Sequence, residues 1–211
     1  MRRLKTRRKS SLMAAAPMLV TLAIVAAGCG GGSSSSPTPA ASAPSYSQAG
    51  ARAFAWLRPS PPPLGWQQSR MPGGAARLAY PPGWRSIRSD PGTVSAALRA
   101  GTGEIRGYLN ATPQQGAETL ANWSSFRLDH NRDEGDLNVT PVASATDLRF
   151  RGAHGSCVTD TYSSSTEHRY HEIACIVAGA GATTVVVGAA PPDQWQQQGP
   201  AIERALSSFL T

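Results

Sequence analysis

Residues 155–163 read GSCVTDTYS and residues 169–177 read RYHEIACIV, so two runs of equal length flank a short polar segment. Both runs contain β-branched and aromatic residues, which favour strands, and the segment between them contains serine and threonine, which are common in turns. The pattern predicts an antiparallel hairpin whose turn is the segment 163–169. If Cys157 faces Cys175 across this hairpin, Tyr162 faces Tyr170.

Further strands are predicted on both sides of this hairpin, because apolar residues alternate there between turn residues. The predicted strands are 77–80, 84–87, 93–99, 104–111, 145–151 and 183–189. The strands 93–99 and 104–111 are joined by AGTG, in which glycine permits the backbone angles of a tight turn.

Two segments have helical periodicity instead. One is 112–131, with Thr112 as the N-cap and Pro113 at the first helical position. Its predicted packing stripe consists of Leu120, Trp123 and Arg127, with Ala117 and Ser124 beside them. The other is 192–210, whose apolar residues at helical spacing are Trp195, Ile202, Leu206 and Phe209. Because strands outnumber helices and neighbours are joined by short links, we predict an α+β fold, a mostly antiparallel sheet covered by helices.

The first 29 residues have the layout of an export signal, with six basic residues in the first nine positions and an apolar run at 12–27. The run ends in VAAGC at 25–29, which resembles the lipobox of bacterial lipoproteins and implies a diacylglycerol on Cys29. We therefore predict a signal peptide at 1–28 and an extracytoplasmic protein that a lipid at Cys29 anchors to the cell membrane. Because Ala26 stands where a branched aliphatic residue is usual, an uncleaved anchor and ordinary secretion remain the alternatives.

Residues 29–50 consist almost entirely of glycine, serine, proline and alanine after the cysteine. Such a segment cannot offset its conformational entropy by burying apolar surface, so it is predicted to be a flexible tether. The remaining residues, 51–211, are enough for one α+β domain with a complete hydrophobic core, which we place at about 77–211.

The charge of the chain is concentrated at its start. The sequence has 20 basic and 13 acidic residues, and six of the basic ones precede the apolar run, which leaves a net charge of +1 for the rest. Because phosphate backbones are bound by concentrated basic surfaces, a nucleic-acid partner is not predicted.

Two cysteines remain once Cys29 is assigned to lipid. An even pair in an oxidising compartment is by default a disulfide, and a loop of about 19 residues closed in this way would stabilise the fold by roughly 3 kcal/mol. The alternative is a zinc site, because several potential ligands occur in one segment. These are His154, Cys157, His168, His171 and Cys175. Strand alternation sends His168 and His171 to opposite faces, so we predict neither a metal nor another cofactor.

Several motifs resemble those of the Mog1/PsbP-like fold, and more closely those of uncharacterised actinobacterial envelope lipoproteins that have this fold. They are YPPGW at 80–84, GYLNATP at 107–113, NW at 122–123, FR at 126–127 and HN at 130–131. The resemblance covers most of 77–211 and implies a fold and an envelope location. It implies no activity, because this fold serves mainly as an accessory and binding scaffold.

Three polar residues, Tyr108, Asn110 and Arg127, lie on elements that otherwise pack. Buried asparagine and arginine usually form hydrogen bonds, and we expect these to bond to the backbone or to each other.

No local signature of catalysis occurs in the sequence. There is no GxSxG motif, and no SxxK motif is available beyond Lys9, the last lysine. A triad of His154, Ser156 and Asp160 can be written down, but ordinary turn and strand positions explain these residues better, so no catalytic residue is predicted.

The predicted function is a non-enzymatic binding or accessory module, tethered to the membrane, whose partner is an envelope protein. The alternative is a carrier or sensor of a small lipid, glycan or metal ligand, and the third hypothesis is a hydrolase with a spatially assembled site. Trp56 and Trp66 lie in the proline-rich approach to the domain and are predicted to be partly exposed, as a candidate contact surface. Trp123 and Trp195 are predicted to be core residues.

Overall fold

Nine strands and two longer helices are found in residue 50 and residues 52–211, the part of the chain that the computed structural model describes. The signal peptide, Cys29 and the tether predicted at 29–50 fall, except for residue 50, outside the described residues. The strands are Gln67–Arg70 (β1), Arg77–Tyr80 (β2), Arg85–Ile87 (β3), Val94–Arg99 (β4), Ile105–Pro113 (β5), Leu137–Phe150 (β6), Ala153–Ser163 (β7), Arg169–Ala178 (β8) and Thr183–Ala190 (β9). The helices are Trp123–Asp133 (α1) and Trp195–Ser207 (α2).

Seven strands form one antiparallel sheet in the order β3-β4-β5-β9-β8-β7-β6, and β1 and β2 form a separate two-stranded ribbon. The predicted hairpin is confirmed as β7 and β8, with Cys157 opposite Cys175 and Ser163 opposite Arg169. The predicted hairpin of 93–99 and 104–111 is confirmed as β4 and β5. The ribbon partner β1 was not predicted, because its sequence QQSR has no apolar alternation.

The helix predicted at 112–131 begins later in the structure than predicted. Thr112 and Pro113 continue strand β5 and pair with Val185 and Thr184 of β9, so α1 begins only at Trp123. The local cap signal at Thr112 is overridden because pairing with β9 satisfies the backbone there, and proline is tolerated at the end of a strand. The buried residues of α1 are Trp123, Leu128 and Asn131, whereas Ala117 of the predicted stripe is exposed in the preceding loop.

The two faces of the sheet carry two different cores. The larger core lies between one face, α2 and the β1–β2 ribbon, and its bulky members include Trp84, Ile173, Ile202, Leu206 and Phe209. The smaller core lies on the opposite face under α1 and is formed by Trp123, Leu128, Val158, Ala174, Ile176, Val185 and Val187. We call these the α2 face and the α1 face. Strand alternation explains the split, because successive side chains of β8 and β9 point to opposite sides.

The core begins earlier in the chain than the predicted boundary at 77. Phe54 is 2% exposed and Met71 is 1% exposed, and both belong to the larger core. The proline-rich segment is held against the end of α2, since the amide of Ser60 donates to the carbonyl of Ser207 at 3.1 Å. Both cores consist of residues within one compact unit, Ala43–Thr211, which is therefore self-contained.

Neither α-helix of the described residues is long and apolar enough to span a bilayer.

Candidate binding groove

A groove with a volume of about 520 Å³ opens on the α1 face of the sheet, beside helix α1. Helix α1 packs over β6, β7 and β8, and the groove lies between it and strands β5 and β9. Its main lining residues are Tyr108, Asn110, Trp123, Phe126, Arg127, Glu172, Val185 and Val187. All three polar residues that the sequence analysis singled out, Tyr108, Asn110 and Arg127, are thus brought to one site.

Strand periodicity directs the polar side chains of β5 into the groove. Leu109 and Ala111 are fully buried in the larger core on the α2 face. Their neighbours Tyr108 and Asn110 must therefore point to the α1 face, because alternate residues of a strand lie on opposite sides of the sheet. On α1, Trp123 and Arg127 are four residues apart and so lie on the same side of the helix.

Arg127 and Glu172 form a two-point ion pair at the inner wall of the groove. Nε donates to Oε1 at 2.7 Å and Nη2 donates to Oε2 at 2.9 Å. The side chain of Glu172 is 1% exposed and that of Arg127 is 14% exposed. Burial alone would lower the pKa of Arg127, but the charge and hydrogen bonds of Glu172 more than offset this and raise it. Arg127 therefore stays charged, and its two-point contact with the carboxylate of Glu172 presents little net charge to the groove.

Asp160 lies behind this pair as the cross-strand neighbour of Glu172. It is fully buried, and its Oδ2 accepts a 3.4 Å hydrogen bond from Nδ2 of Asn131, whereas its Oδ1 and the Oδ1 of Asn131 have no partner among the described residues. Burial and, next, the charge of Glu172 raise the pKa of Asp160 to about 7, although Arg127 opposes the shift. A substantial fraction of Asp160 is therefore protonated at neutral pH.

At the other end of the groove, Ser95 contacts the polar side chains of β5. Its hydroxyl donates to Oδ1 of Asn110 at 3.2 Å and lies 3.4 Å from the hydroxyl of Tyr108. The expectation that Asn110 and Arg127 bond to the backbone or to each other is therefore wrong, because side chains on β4 and β8 supply the partners. Burial raises the pKa of Tyr108, so its hydroxyl stays protonated at neutral pH. A second recess of about 390 Å³ adjoins the groove here and shares Tyr108 and Asn110 with it.

An aromatic wall closes the α1 side. The indole of Trp123 donates to the carbonyl of Ala174 at 2.9 Å, which fixes its ring. The ring of Phe126 lies 6.3 Å from that of Trp123 and 6.1 Å from that of His130, both nearly parallel to it. The groove thus combines a rigid apolar wall with a polar floor, an arrangement that suits binding.

The cysteines predicted to be paired lie on the other side of the sheet. Cys157 and Cys175 form a disulfide in the larger core, on the α2 face. The alternative zinc site is thereby excluded for these two residues, because their sulfur atoms are bonded to each other. The ring of His171, another proposed ligand, stacks on Trp195 at 3.9 Å instead.

Trp56 and Trp66 are half-buried and pack against the larger core, which lies on the face of the sheet opposite the groove. Their role as a contact surface stays a prediction. Trp123 is in the smaller core, as predicted, whereas Trp195 is only partly buried.

The structure does not bring together the three residues of the triad that the sequence allows. His154, Ser156 and Asp160 share one side of β7, on which alternate residues are about 7 Å apart. The hydroxyl of Ser156 donates to the carbonyl of Leu120 at 2.6 Å, and Asp160 contacts Asn131. Strand spacing therefore keeps the nucleophile away from its proposed base.

Comparison with known proteins supports the fold. No protein-family model matches the sequence, and no curated protein matches it significantly. Among solved structures, the chain is similar to cyanobacterial PsbP (CyanoP) from Synechocystis sp. PCC 6803, at 14% identity and a TM-score of 0.53, over 71% of this chain and 94% of that one. The chain therefore has a PsbP-like, mostly antiparallel α+β fold, as predicted.

Two further likenesses are weaker. A protein of unknown function from Pseudomonas aeruginosa has 13% identity and a TM-score of 0.46, over 69% of this chain and 96% of that one. LpqN from Mycobacterium tuberculosis, described as involved in cell envelope biogenesis, has 12% identity and a TM-score of 0.41, over 68% of this chain and 88% of that one. The fold assignment rests on the cyanobacterial protein alone.

Proposed function

We propose that this protein is a membrane-tethered, extracytoplasmic accessory module without catalytic activity, which binds a segment of an envelope protein in the groove beside α1. The single observation that carries the proposal is the groove itself, in which an aromatic wall and a polar floor meet over a rigid sheet. The tether is the lipid expected at Cys29.

The shape and chemistry of the groove favour an extended protein segment over a lipid. A lipid carrier needs a closed apolar cavity, whereas this groove is open and contains the Arg127–Glu172 ion pair. The adjoining recess at Tyr108 and Asn110 lengthens the groove along the sheet, which suits a chain that lies across several strands. Beside these polar residues, Val185 and Val187 of β9 supply apolar contact surface for its side chains.

A small polar ligand such as a glycan is the second candidate function. The observation in its favour is the volume of about 520 Å³, because small-molecule sites commonly range from roughly 300 to 1,000 Å³. Hydrolysis remains the third candidate, and the separation of His154, Ser156 and Asp160 along β7 counts against it.

Site-specific photo-crosslinking in intact cells tests the protein-binding proposal. A photoreactive residue at Gln115, an exposed residue of the groove rim, should give a discrete crosslinked product that Asn110→Ala abolishes. The matched control is the same residue at Gln197, which is exposed on α2 and on the opposite face of the sheet. Equal products from both positions, or a product insensitive to Asn110→Ala, would contradict the proposal.

Native mass spectrometry separates the two binding hypotheses. A small-mass adduct that survives native but not denaturing conditions, and that Asn110→Ala removes, would favour the small-ligand function. The lipid anchor is tested independently by the mass of the amino-terminal peptide of the mature protein, which should carry a diacylglycerol that Cys29→Ser eliminates.

A further inference from the structure

The charges of the chain beyond the signal are strongly segregated, although they nearly cancel. Residues 50–89 contain six arginines and no acidic residue, whereas residues 90–211 contain all 13 acidic residues and eight arginines. The six arginines are exposed, and none forms a salt bridge among the described residues. They are Arg52, Arg58, Arg70, Arg77, Arg85 and Arg88.

Two of these arginines are forced together on the β1–β2 ribbon. Arg70 and Arg77 are direct cross-strand partners, so their side chains leave the same side of the ribbon. Like charges directly opposite each other destabilise an antiparallel pair. An anion bound from outside would remove this repulsion.

A recess of about 220 Å³ beside the ribbon is lined by both Arg77 and Arg151. The backbones of both residues form isolated β-bridges with Leu210. The guanidinium of Arg151 donates a 3.5 Å hydrogen bond from Nη1 to the carbonyl of Ser208. The other lining residues are uncharged: Pro62, Gln68, Ala79, Ser208 and Leu210. Two guanidinium groups without a carboxylate form a site suited to a phosphate group.

An exposed apolar turn, residues 63–66, directly follows Pro62, which lines this recess. The amide of Trp66 donates to the carbonyl of Pro63 at 3.2 Å, and Gly65 has a φ of 82°, as a type II turn requires. At the tip of the turn Leu64 is fully exposed, and Trp66 is half-buried beside it. Leucine and tryptophan on a turn stiffened by proline are suited to the boundary between lipid headgroups and acyl chains.

We infer that the β1–β2 ribbon and the turn 63–66 form a docking surface for an anionic phospholipid membrane. A headgroup phosphate lies between Arg77 and Arg151, Leu64 and Trp66 enter the interfacial region, and the remaining arginines of the segment attract the anionic leaflet. The ribbon covers the α2 face and the groove lies on the α1 face, so docking turns the groove away from the membrane. This inference does not depend on what the groove binds.

Vesicle flotation with the self-contained unit Ala43–Thr211, which lacks Cys29, tests the inference. The unit should bind phosphatidylcholine vesicles that contain about 30% phosphatidylglycerol and should not bind vesicles of phosphatidylcholine alone. Arg77→Gln with Arg151→Gln should weaken binding about 25-fold, because each arginine near an anionic surface contributes about fivefold. Leu64→Ser should weaken it about tenfold, and it cannot act through the fold because Leu64 packs against nothing.

The matched control is Arg106→Gln with Arg169→Gln, which removes the same charge from exposed positions outside the segment 50–89. An equal loss in the control, an unchanged affinity in the Arg77 and Arg151 variant, or binding to uncharged vesicles would overturn the inference. The same holds if inorganic phosphate binds the unit but vesicles that contain phosphatidylglycerol do not. That result would indicate a site for a soluble anion.

Discussion

Asp160 and Glu172 face each other across β7 and β8, and Arg127 pairs with only one of them. Two buried carboxyl groups therefore lie beside the groove, and each of them has its own partner. Asp160 has the amide of Asn131, and Glu172 has the guanidinium. The stability of this part of the sheet should depend on both partners.

Removal of one member of the ion pair should be strongly destabilising. Glu172→Gln leaves Arg127 buried without a counter-charge, and we expect a loss of about 3–5 kcal/mol in the free energy of unfolding. The combined change Arg127→Met and Glu172→Leu should recover most of this loss, because no charge is then buried. Urea unfolding with the disulfide intact measures both.

The exposed pair of Arg132 and Asp129 is the control, and Asp129→Asn should cost less than about 1 kcal/mol. A loss in Glu172→Gln no larger than that of the control would contradict the predicted role of the ion pair.

Asp160 should make the protein less stable as pH rises towards neutral. Its pKa in the folded state, about 7, exceeds its ordinary value of 3.8, so the native state binds the proton more tightly than the unfolded chain does. The contribution is fully present below pH 3.8 and is lost as pH rises to about 7. Within this window wild type should lose on the order of 1.4 kcal/mol per pH unit relative to Asp160→Asn.

Unfolding free energies measured between about pH 4.5 and 8, a range that avoids acid and base denaturation, check this prediction. Asp133→Asn, at an exposed position of α1, is the control. Parallel curves for wild type and Asp160→Asn would show that Asp160 does not titrate in this window.

At the scale of elements, two kinds of interaction stabilise the β7–β8 hairpin: the hydrogen bonds between its strands and the disulfide. Cys157 and Cys175 are direct register partners, 18 residues apart in sequence. Replacement of both by alanine should lower the free energy of unfolding by about 3 kcal/mol, because the unfolded chain gains the freedom of the opened loop. Chemical denaturation without reductant measures this loss.

Dithiothreitol should destabilise wild type by a similar amount and leave the double alanine variant unchanged. A reductant effect of equal size on both proteins would mean that the disulfide is not the element affected.

Helix α2 packs so closely on β9 that there is no room for a side chain at Gly188. A Cβ atom there would overlap Cγ2 of Ile202 and approach Cδ2 of Leu109 to 3.1 Å. Gly188→Ala should therefore cost about 1–3 kcal/mol of stability. The cost should fall below about 1 kcal/mol when Ile202 is already alanine, since the two sites then no longer compete for space.

Gly181→Ala is the matched control, because a Cβ atom at Gly181 meets nothing within 4 Å. Thermal unfolding of the four proteins of the cycle measures the coupling, and strictly additive effects would disprove the close contact.

At the scale of the whole molecule, the segment before the ribbon is part of the fold. Phe54 is 2% exposed in the larger core, and Ser60 is bonded to the end of α2. A chain shortened to residues 59–211 should be less stable than Ala43–Thr211 by at least about 3 kcal/mol, the usual cost of deleting a buried phenylalanine. Denaturant unfolding of both chains measures the difference.

Phe54→Ala in the longer chain should reproduce most of this loss, whereas Arg52→Ala, at an exposed position, should not. Equal stability of the long and short chains would show that the core is complete without Phe54.

The accuracy of the sequence predictions followed the range of the interactions involved. The register of β7 and β8 was predictable because Cys157 and Cys175 are equally distant from one short turn. The start of α1 was not, because Thr112 and Pro113 carry a local cap signal while their backbone pairs with β9, far along the chain. In the groove, Tyr108, Asn110 and Arg127 stood out as polar residues on packed elements, but their partners Ser95 and Glu172 did not.

The sequence by itself determined the alternation of the strands, the hairpin that pairs the two cysteines, the α+β class and the near balance of charge beyond the first nine residues. These properties depend on residues that are close together in the sequence, so their spacing can be read from it directly. Only the tertiary structure decided that β5 lies beside β9, that Arg127 reaches Glu172 and that Arg77 and Arg151 line one recess. Strand order and packing join residues that are distant in sequence, and local periodicity does not encode such contacts.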